Sequence, residues 1–314
     1  MKSSLFVSRK YCHIFTLFLL FLFCGIPAFA AEKTIGVLMT GNIPYYKEIH
    51  KAFTEALSSE GVAPGSYTIV LQSPHPEPMS WTNAARKLVA VGADVIVSYG
   101  APATLSLLHE TSDIPVIFAG VYDPQAVGIV GKNSTGISSK VPVTSVIKNL
   151  RSISNFSKLG VVYSNTEKDT LSQANDVKQL EGTFGFRSVR FNITRVEDIP
   201  KIANVDALFL TTSCAAMHCV NNIVGLARKA KIPTATTIGG GENSGVILTI
   251  AANPQEQGRE AARLTARVIK GMKPSSLPVE LPKKVDMIIN LKEATDMGLK
   301  IPFDLLTAAT KVIR

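Results

Sequence analysis

Beyond residue 31, short unbroken apolar runs alternate with stretches whose apolar positions recur every three or four residues. Ile35–Thr40 is such a run, fit for a strand buried on both faces. Tyr46–Ser58 follows with Ile49, Phe53, Ala56 and Leu57 at helical spacing and stops at Gly61. Thr68–Gln72 predicts a second strand and Thr82–Val91 a helix ended by Gly92. Asp94–Ser98 predicts a third strand, Ala103–Glu110 a helix and Pro115–Gly120 a fourth strand. Strict alternation of this kind predicts a parallel sheet with helices on both faces.

The pattern then repeats. Leu159–Ser164 predicts a strand, Asp169–Gly182 a helix, Phe184–Asn192 a strand and Val196–Ile202 a short helix. Asp206–Thr212 predicts a strand, Met217–Ala230 a helix and Pro233–Ile238 a strand, with Val246–Ile250 reading as a further one. Three landmarks recur in order: Gly36-Val37 with Gly160-Val161, Ala93-Asp94 with Val205-Asp206, and Ile114-Pro115 with Ile232-Pro233. They suggest two similarly built lobes, a duplication at the level of the fold. Gln255–Lys270 is an amphipathic helix ended by Gly271. A Pro-rich stretch, a strand at Met287–Asn290 and a terminal helix near Pro302–Val312 complete the chain.

A helix and further segments after the second lobe imply that the chain crosses between lobes more than once, near Ser138–Pro142, Ala251–Asn253 and Ser276–Pro282. The expected fold is α/β, with two Rossmann-like lobes carrying parallel sheets and joined by a multi-crossover hinge. The first lobe takes residues 31–140 and 254–280, and the second takes 141–253 and 281–314. A ligand then lies in the cleft facing the carboxyl ends of the strands.

Composition permits this: 46% of the 314 residues are hydrophobic and 18% charged. The net charge of +9 suggests nucleic acid until the N-terminus is read. Residues 1–30 carry Lys2, Arg9 and Lys10 with no acid, an apolar run from Ile14 to Ile26, and Ala28-Phe29-Ala30. That layout predicts a secretory signal peptide cleaved after Ala30, its apolar run too short for a spanning helix. Cys24 raises a lipoprotein reading, but the bulky Phe23 before it disfavours lipidation. Without these residues, which hold three of the 33 bases and none of the 24 acids, the charge falls to +6. The bases are scattered, so no basic stripe for nucleic acid emerges. The predicted product is periplasmic or secreted, a compartment that argues against transcription factors and enzymes fed by cytosolic ATP.

The strand ends should hold the chemistry. Of the six tyrosines after residue 30, five (Tyr45, Tyr46, Tyr99, Tyr122 and Tyr163) fall in loops that follow predicted strands. Tyrosine offers a flat apolar face and a polar tip, suited to a small planar solute, although it also favours partly buried strand ends for packing alone. Helix N-termini at Ala101–Thr104 and near Ser213 are natural seats for a carboxylate. Asp123 either answers an ammonium group or starts the turn at Pro124. First-lobe contacts are expected from Asn42, Tyr45, Tyr99, Ala101, Tyr122 and Asp123. Second-lobe contacts are expected from Ser138, Tyr163, Asn165, Thr212 and Ser213, with Asn253 near the hinge.

Catalytic constellations do not emerge: the sequence has no G-x-S-x-G, P-loop or H-E-x-x-H motif. Gly239-Gly240-Gly241 is a poor dinucleotide fingerprint, because a strand rather than a helix follows it. Cys214, His218 and Cys219 form one small cluster, weak as a metal site without a second, and the two cysteines read as free thiols. No enzyme activity, cofactor or metal is expected.

Over nearly its whole length beyond residue 30 the sequence resembles ABC-transporter substrate-binding proteins of the type whose better-known members bind aromatic amino acids. The resemblance rests on Ala93–Val97 with Ala101-Pro102-Ala103, Ile114–Val121 with Asp123-Pro124, and Asn133-Ser134-Thr135-Gly136-Ile137-Ser138. Ala230–Pro233, Gly258-Arg259 with Ala261-Ala262, Gly271-x-Lys273-Pro274, and Ile288–Leu291 through Gly298–Pro302 continue it. It implies the periplasmic binding protein type I fold and a monomeric receptor that closes on a small-molecule solute and delivers it to an ABC permease. Two departures bear on the solute. Thr212-Ser213-Cys214 stands where the family often has Thr-Asp-Asn, and Asn253-Pro254-Gln255 where it often has Asp-Tyr-Tyr. The expected solute is planar or aromatic, an amino acid or similar. A ligand-sensing module for a membrane-bound signalling protein is the alternative from another class.

Overall fold

In a computed structural model, which describes residues 32–131 and 133–314, the alternation becomes two separate sheets. The first half runs β1 (Lys33–Met39), α1 (Pro44–Leu57), β2 (Tyr67–Gln72), α2 (Pro78–Ala90), β3 (Val95–Tyr99), α3 (Ala101–Glu110), β4 (Val116–Val121) and β5 (Ser134–Ser138). Its five strands are all parallel, in the order β2-β1-β3-β4-β5. The second half runs α4 (Val143–Ile153), β6 (Lys158–Tyr163), α5 (Lys168–Gln179), α6 (Glu181–Phe184), β7 (Arg187–Asn192) and β8 (Ala207–Leu210). It continues through α7 (Cys214–His218), α8 (Val220–Ala230), β9 (Thr234–Thr236) and β10 (Leu248–Ala252). After α9 (Pro254–Ile269) come β11 (Val285–Asn290), α10 (Leu291–Asp296), α11 (Phe303–Ala308) and β12 (Lys311–Ile313). The second sheet has seven strands, ordered β12-β11-β10-β9-β8-β6-β7. The predicted signal peptide lies outside the described residues.

The repeated landmarks do the same work in both sheets. Asp94, just before β3, accepts from the Thr34 amide and the Lys33 ammonium at the start of neighbouring β1, both at 2.8 Å. Asp206, just before β8, accepts from the amides of Ser157 and Lys158 at the start of neighbouring β6, both at 2.9 Å. A carboxylate at one strand's entry thus fixes the start of its neighbour.

The chain passes between the sheets three times. Ser139–Pro142 leads from β5 to α4, which packs under β9 and β10. Asn253 leads from β10 into α9, which returns to lie on α1, β3, β4 and β5. Residues 281–284 lead from a bridge beside β5 (Ile137 with Glu280) back to β11. The last two connectors are tied together: Asn253 Nδ2 donates to Asp286 at 2.9 Å, and the amides of Lys283 and Lys284 donate to the buried Glu256 carboxylate. The apolar core runs from one sheet to the other through Ile137, Val141 and Val143 on the first connector. Helix α9 lies so close to α1 that a Cβ at Gly258 would sit 2.3 Å from the Ile49 carbonyl oxygen.

Three features depart from the sequence reading. Strand β5 and helix α4 were not anticipated. Strand β5 reads Ser-Thr-Gly-Ile-Ser, without an apolar signature, and is held by its ladder to β4. The terminal segment is helical only over Phe303–Ala308. Thr310 then bonds Met287 through both its amide and its hydroxyl, and the following Lys-Val-Ile pairs with β11. Strand β11 runs antiparallel to β10, because the chain enters it from the first sheet without a crossover helix.

Candidate functional site

The carboxyl ends of the two sheets face each other across a seam. A Cβ at Gly41, just past β1, would lie 2.6 Å from Cys214 Sγ and 3.0 Å from His218 Cε1, both past β8. The Tyr45 ring lies against Gly239 past β9, and its hydroxyl donates to the Ala252 carbonyl at the second connector at 3.0 Å. The Tyr122 hydroxyl, past β4, donates to Asp176 Oδ2 on α5 at 3.1 Å. At the rim the rings of His75 and His218 are 6.0 Å apart. A groove of about 630 Å³ opens beside the seam between Trp81, Pro102, Leu105 and His109 on one side and Thr166 and Lys168 on the other.

Acid groups line the second-sheet wall. Glu167 is buried and accepts from Ser213 Oγ at 2.8 Å, the Cys214 amide at 2.9 Å and the Ala215 amide at 3.0 Å. Asp169, on the first turn of α5, is also buried; its carboxyl meets the Thr212 hydroxyl at 3.4 Å and lies near the Asp169 and Thr170 amides, and its sealed Oδ1 makes no hydrogen bond. Burial first, and the neighbouring Glu167 charge second, push the Asp169 carboxyl up to about 7. On the first sheet the Tyr46 hydroxyl sits at the strand ends, where a Cβ at Gly100 would lie 2.4 Å from it. Burial, with Cys214, Asp169 and Glu167 near it, raises its hydroxyl far above its ordinary range.

Two buried glutamines brace the strand ends. Gln173 on α5 accepts from the Thr212 amide at 2.9 Å and donates to Thr237 Oγ1 at 2.8 Å. Gln257 on α9 accepts from the Gly120 amide at 2.8 Å and donates to the Ser138 carbonyl at 2.9 Å.

The residues singled out in the sequence separate into three groups. Tyr45, Tyr122, Thr212 and Ser213 are at the seam, Ser213 capping α7 through the Ala216 amide. Tyr99 is fully buried under α1, its hydroxyl 3.2 Å from His50 Nδ1, because strand alternation turns it toward that helix. Ala101 is buried at the start of α3, and Tyr163 is half-buried at the end of β6. Asp123 starts the turn through the Ala126 amide and pairs with Lys140, while Ser138 Oγ donates to the Tyr122 carbonyl. Asn42 and Asn165 are exposed, and Asn253 caps α9 at the connector.

The expected carboxylate seats are filled by the chain itself. Glu167 takes the first amides of α7. At α3, Pro102 has no N–H, the Ala103 amide meets Thr40 Oγ1 at 3.3 Å and the Thr104 amide meets the Gly100 carbonyl. Sequence reasoning named Tyr46 among the strand-end tyrosines but not as a contact, and did not select Glu167, Asp169, Gln173 or Asp176. An acid at the start of a helix looks like ordinary dipole chemistry, and nothing local reveals that it is sealed. Cys214 and Cys219 are free and buried. Cys214 Sγ is 3.8 Å from His218 Nδ1, and Cys219 sits instead near Glu197 and Asp198. Among the described residues no group of three or more His, Cys, Asp or Glu is placed to hold a metal ion.

Two sheets with facing carboxyl ends and three connectors define the class of two-lobed solute-binding proteins. The chain belongs to the ABC transporter substrate binding protein family, whose family model matches residues 34–313. A conserved domain protein of Vibrio cholerae has 23% identity and a TM-score of 0.85, covering 90% of this chain and 99% of that one. The ABC domain of a Streptococcus pneumoniae protein, in complex with L-Trp, has 24% identity and a TM-score of 0.85 over 90% of this chain and all of that one. The ligand-free, open form of the substrate-binding protein CD0873 of Clostridium difficile has 22% identity and a TM-score of 0.66 over 90% of this chain and 99% of that one. An uncharacterised protein of Rickettsia prowazekii is 20% identical over 298 residues, which span 92% of this chain and 91% of that protein. Members of this family bind small-molecule solutes outside the cytoplasm and work with ABC permeases. Among the described residues no helix is long and apolar enough to cross a membrane.

Proposed function

We propose that the protein is the extracytoplasmic receptor of an ABC importer, released by cleavage after Ala30. It acts as a monomer that closes two lobes on a small planar or aromatic solute and presents the closed form to a membrane permease. The lobes are 31–140 with 254–280, and 141–253 with 281–314. The observation that carries this reading is the Tyr122–Asp176 hydrogen bond, made between elements of different sheets whose covalent links are the three connectors. Closure would bring such pairs together, so a solute that touches both walls shifts the population toward the closed form. Two relatives of nearly equal identity support the same reading. The one in complex with L-Trp scores 0.85 against this chain, and the one that is ligand-free and open scores 0.66.

The test is solution scattering. A thermal-shift screen of aromatic amino acids, aromatic amines, purines and pyrimidines identifies the best stabiliser. Its addition should shrink the radius of gyration of the purified protein. An unchanged radius at saturation overturns the closure model.

A further inference from the structure

Six carboxylates are buried among the described residues (Glu167, Asp169, Asp198, Glu242, Glu256 and Glu293), and no lysine or arginine is. Five of the six have strong donors. Lys201 reaches Asp198 at 2.7 Å, and the Arg228 guanidinium grips Glu293 at 2.6 and 2.8 Å. Glu242 accepts from the Gly240 amide at 2.7 Å, Glu256 from the Lys284 amide at 2.9 Å, and Glu167 from three donors. Asp169 alone keeps a solvent-sealed carboxylate oxygen with no hydrogen-bond partner. A buried charge left unpaired is costly, and buried carboxylates elsewhere in this chain do not go without partners.

We propose that Asp169 anchors a positively charged nitrogen of the solute, and that the solute is an organic cation, a primary amine or protonated heterocycle on a planar skeleton. The proposal rests on the solute-receptor reading above and narrows it. Asp169 stands on the second-sheet wall, one residue beyond Lys168 at the groove edge; on the first sheet the Tyr46 hydroxyl sits at the strand ends, where a Cβ at Gly100 would lie 2.4 Å from it. That hydroxyl has no hydrogen-bond partner among the described residues, so it is free to share the same ligand nitrogen.

The same wall disfavours a carboxylate on the solute. The α7 amides that would receive one are filled by Glu167, the second and third residues of α3 offer no free N–H, and Lys140 is committed to Asp123. A zwitterion would bring its carboxylate toward the buried Glu167, whose charge repels it, with Lys168 at the groove edge as the cation left to meet it.

Calorimetry with two matched series tests the proposal: tryptamine, L-tryptophan and indole-3-propionate, and the cyclohexyl amine, amino acid and acid of similar size. The expected result is that the amine of a series binds about ten-fold or more tightly than its zwitterion, that the acid does not bind, and that Asp169→Asn abolishes the preference. Asp169→Ser serves if the Asn variant does not fold; either must melt as a cooperative unit. A zwitterion or acid that binds more tightly than its amine overturns the proposal. So does an amine preference that survives Asp169→Asn, or the failure of every amine at about 10 mM. Equal binding of the cyclohexyl and indole amines removes the planar-solute reading and leaves the anchor standing. Amine binding without a change in radius removes closure alone.

Discussion

The Tyr122 hydroxyl donates to Asp176 at 3.1 Å, joining the loop after β4 to a helix of the other sheet. Burial and the Asp176 charge raise the Tyr122 hydroxyl far above its ordinary range, so it acts as a neutral donor. A hydrogen bond to a carboxylate contributes about 1.5–3 kcal/mol. On the closure proposed above, its loss falls on closure rather than on folding. Tyr122→Phe should weaken binding of the best stabilising solute by roughly ten-fold, while the ligand-free melting temperature moves by only a few degrees. Calorimetry and thermal melts of the same preparations check both halves.

Asp169 should leave a signature in stability against pH. Its folded-state pKa is raised to about 7 from an unfolded value near 3.9. The folded protein therefore holds a proton that the unfolded chain releases. Stability falls as pH rises from about 4 to about 7, by at most about 4 kcal/mol, and levels off above that. Glu167, raised by its own burial, adds a contribution of the same sign. Asp169→Asn should flatten this slope and make the protein more stable than wild type at pH 8. Urea unfolding at pH 5, 6, 7 and 8 measures it, and a wild-type curve that rises across that range contradicts it.

The architecture was legible because it depends on periodicity and on punctuation that short windows hold. Asp94 and Asp206 stood out as matched landmarks, and they make matched hydrogen bonds to the starts of β1 and β6. Tyrosines at strand ends were also legible as a group, but their directions were not. Tyr99 and Tyr122 end adjacent strands, yet Tyr99 turns under α1 to His50 while Tyr122 reaches the other sheet. Glu167 and Asp169 look alike in sequence, two residues apart. Only the fold brings the α7 amides to one of them and leaves an oxygen of the other without a partner.

Gln257 is a second case invisible to sequence patterning. Its amide satisfies the buried Gly120 N–H and the Ser138 carbonyl, which belong to β4 and β5, from a helix more than a hundred residues later. Gln257→Leu keeps roughly the volume but leaves both backbone groups without a partner. Each orphan costs about 1–3 kcal/mol, so the variant should lose roughly 2–5 kcal/mol in urea unfolding. Gln257→Glu should lose less at pH 4 than at pH 8, because the protonated acid can still donate one hydrogen bond to the Ser138 carbonyl.

Gly41 sets how closely the two strand ends approach. A methyl group there would sit 2.6 Å from Cys214 Sγ and 3.0 Å from His218 Cε1, well inside contact distance, and these neighbours belong to the opposite sheet. The side chains it would strike lie across the seam rather than in Gly41's own sheet, so Gly41→Ala should fold with near wild-type stability yet fail to close fully. The expected outcome is a saturated radius of gyration intermediate between the wild-type free and bound values, with affinity reduced several-fold. Cys214 reports the same event independently, since it is sealed in the closed form. Its alkylation should slow on solute binding in wild type and much less in Gly41→Ala. The double variant Gly41→Ala with Cys214→Ala, which clears the sulfur from the path of the new methyl, should recover part of the closure. If the double variant closes no better than the single one, the steric account of this position fails.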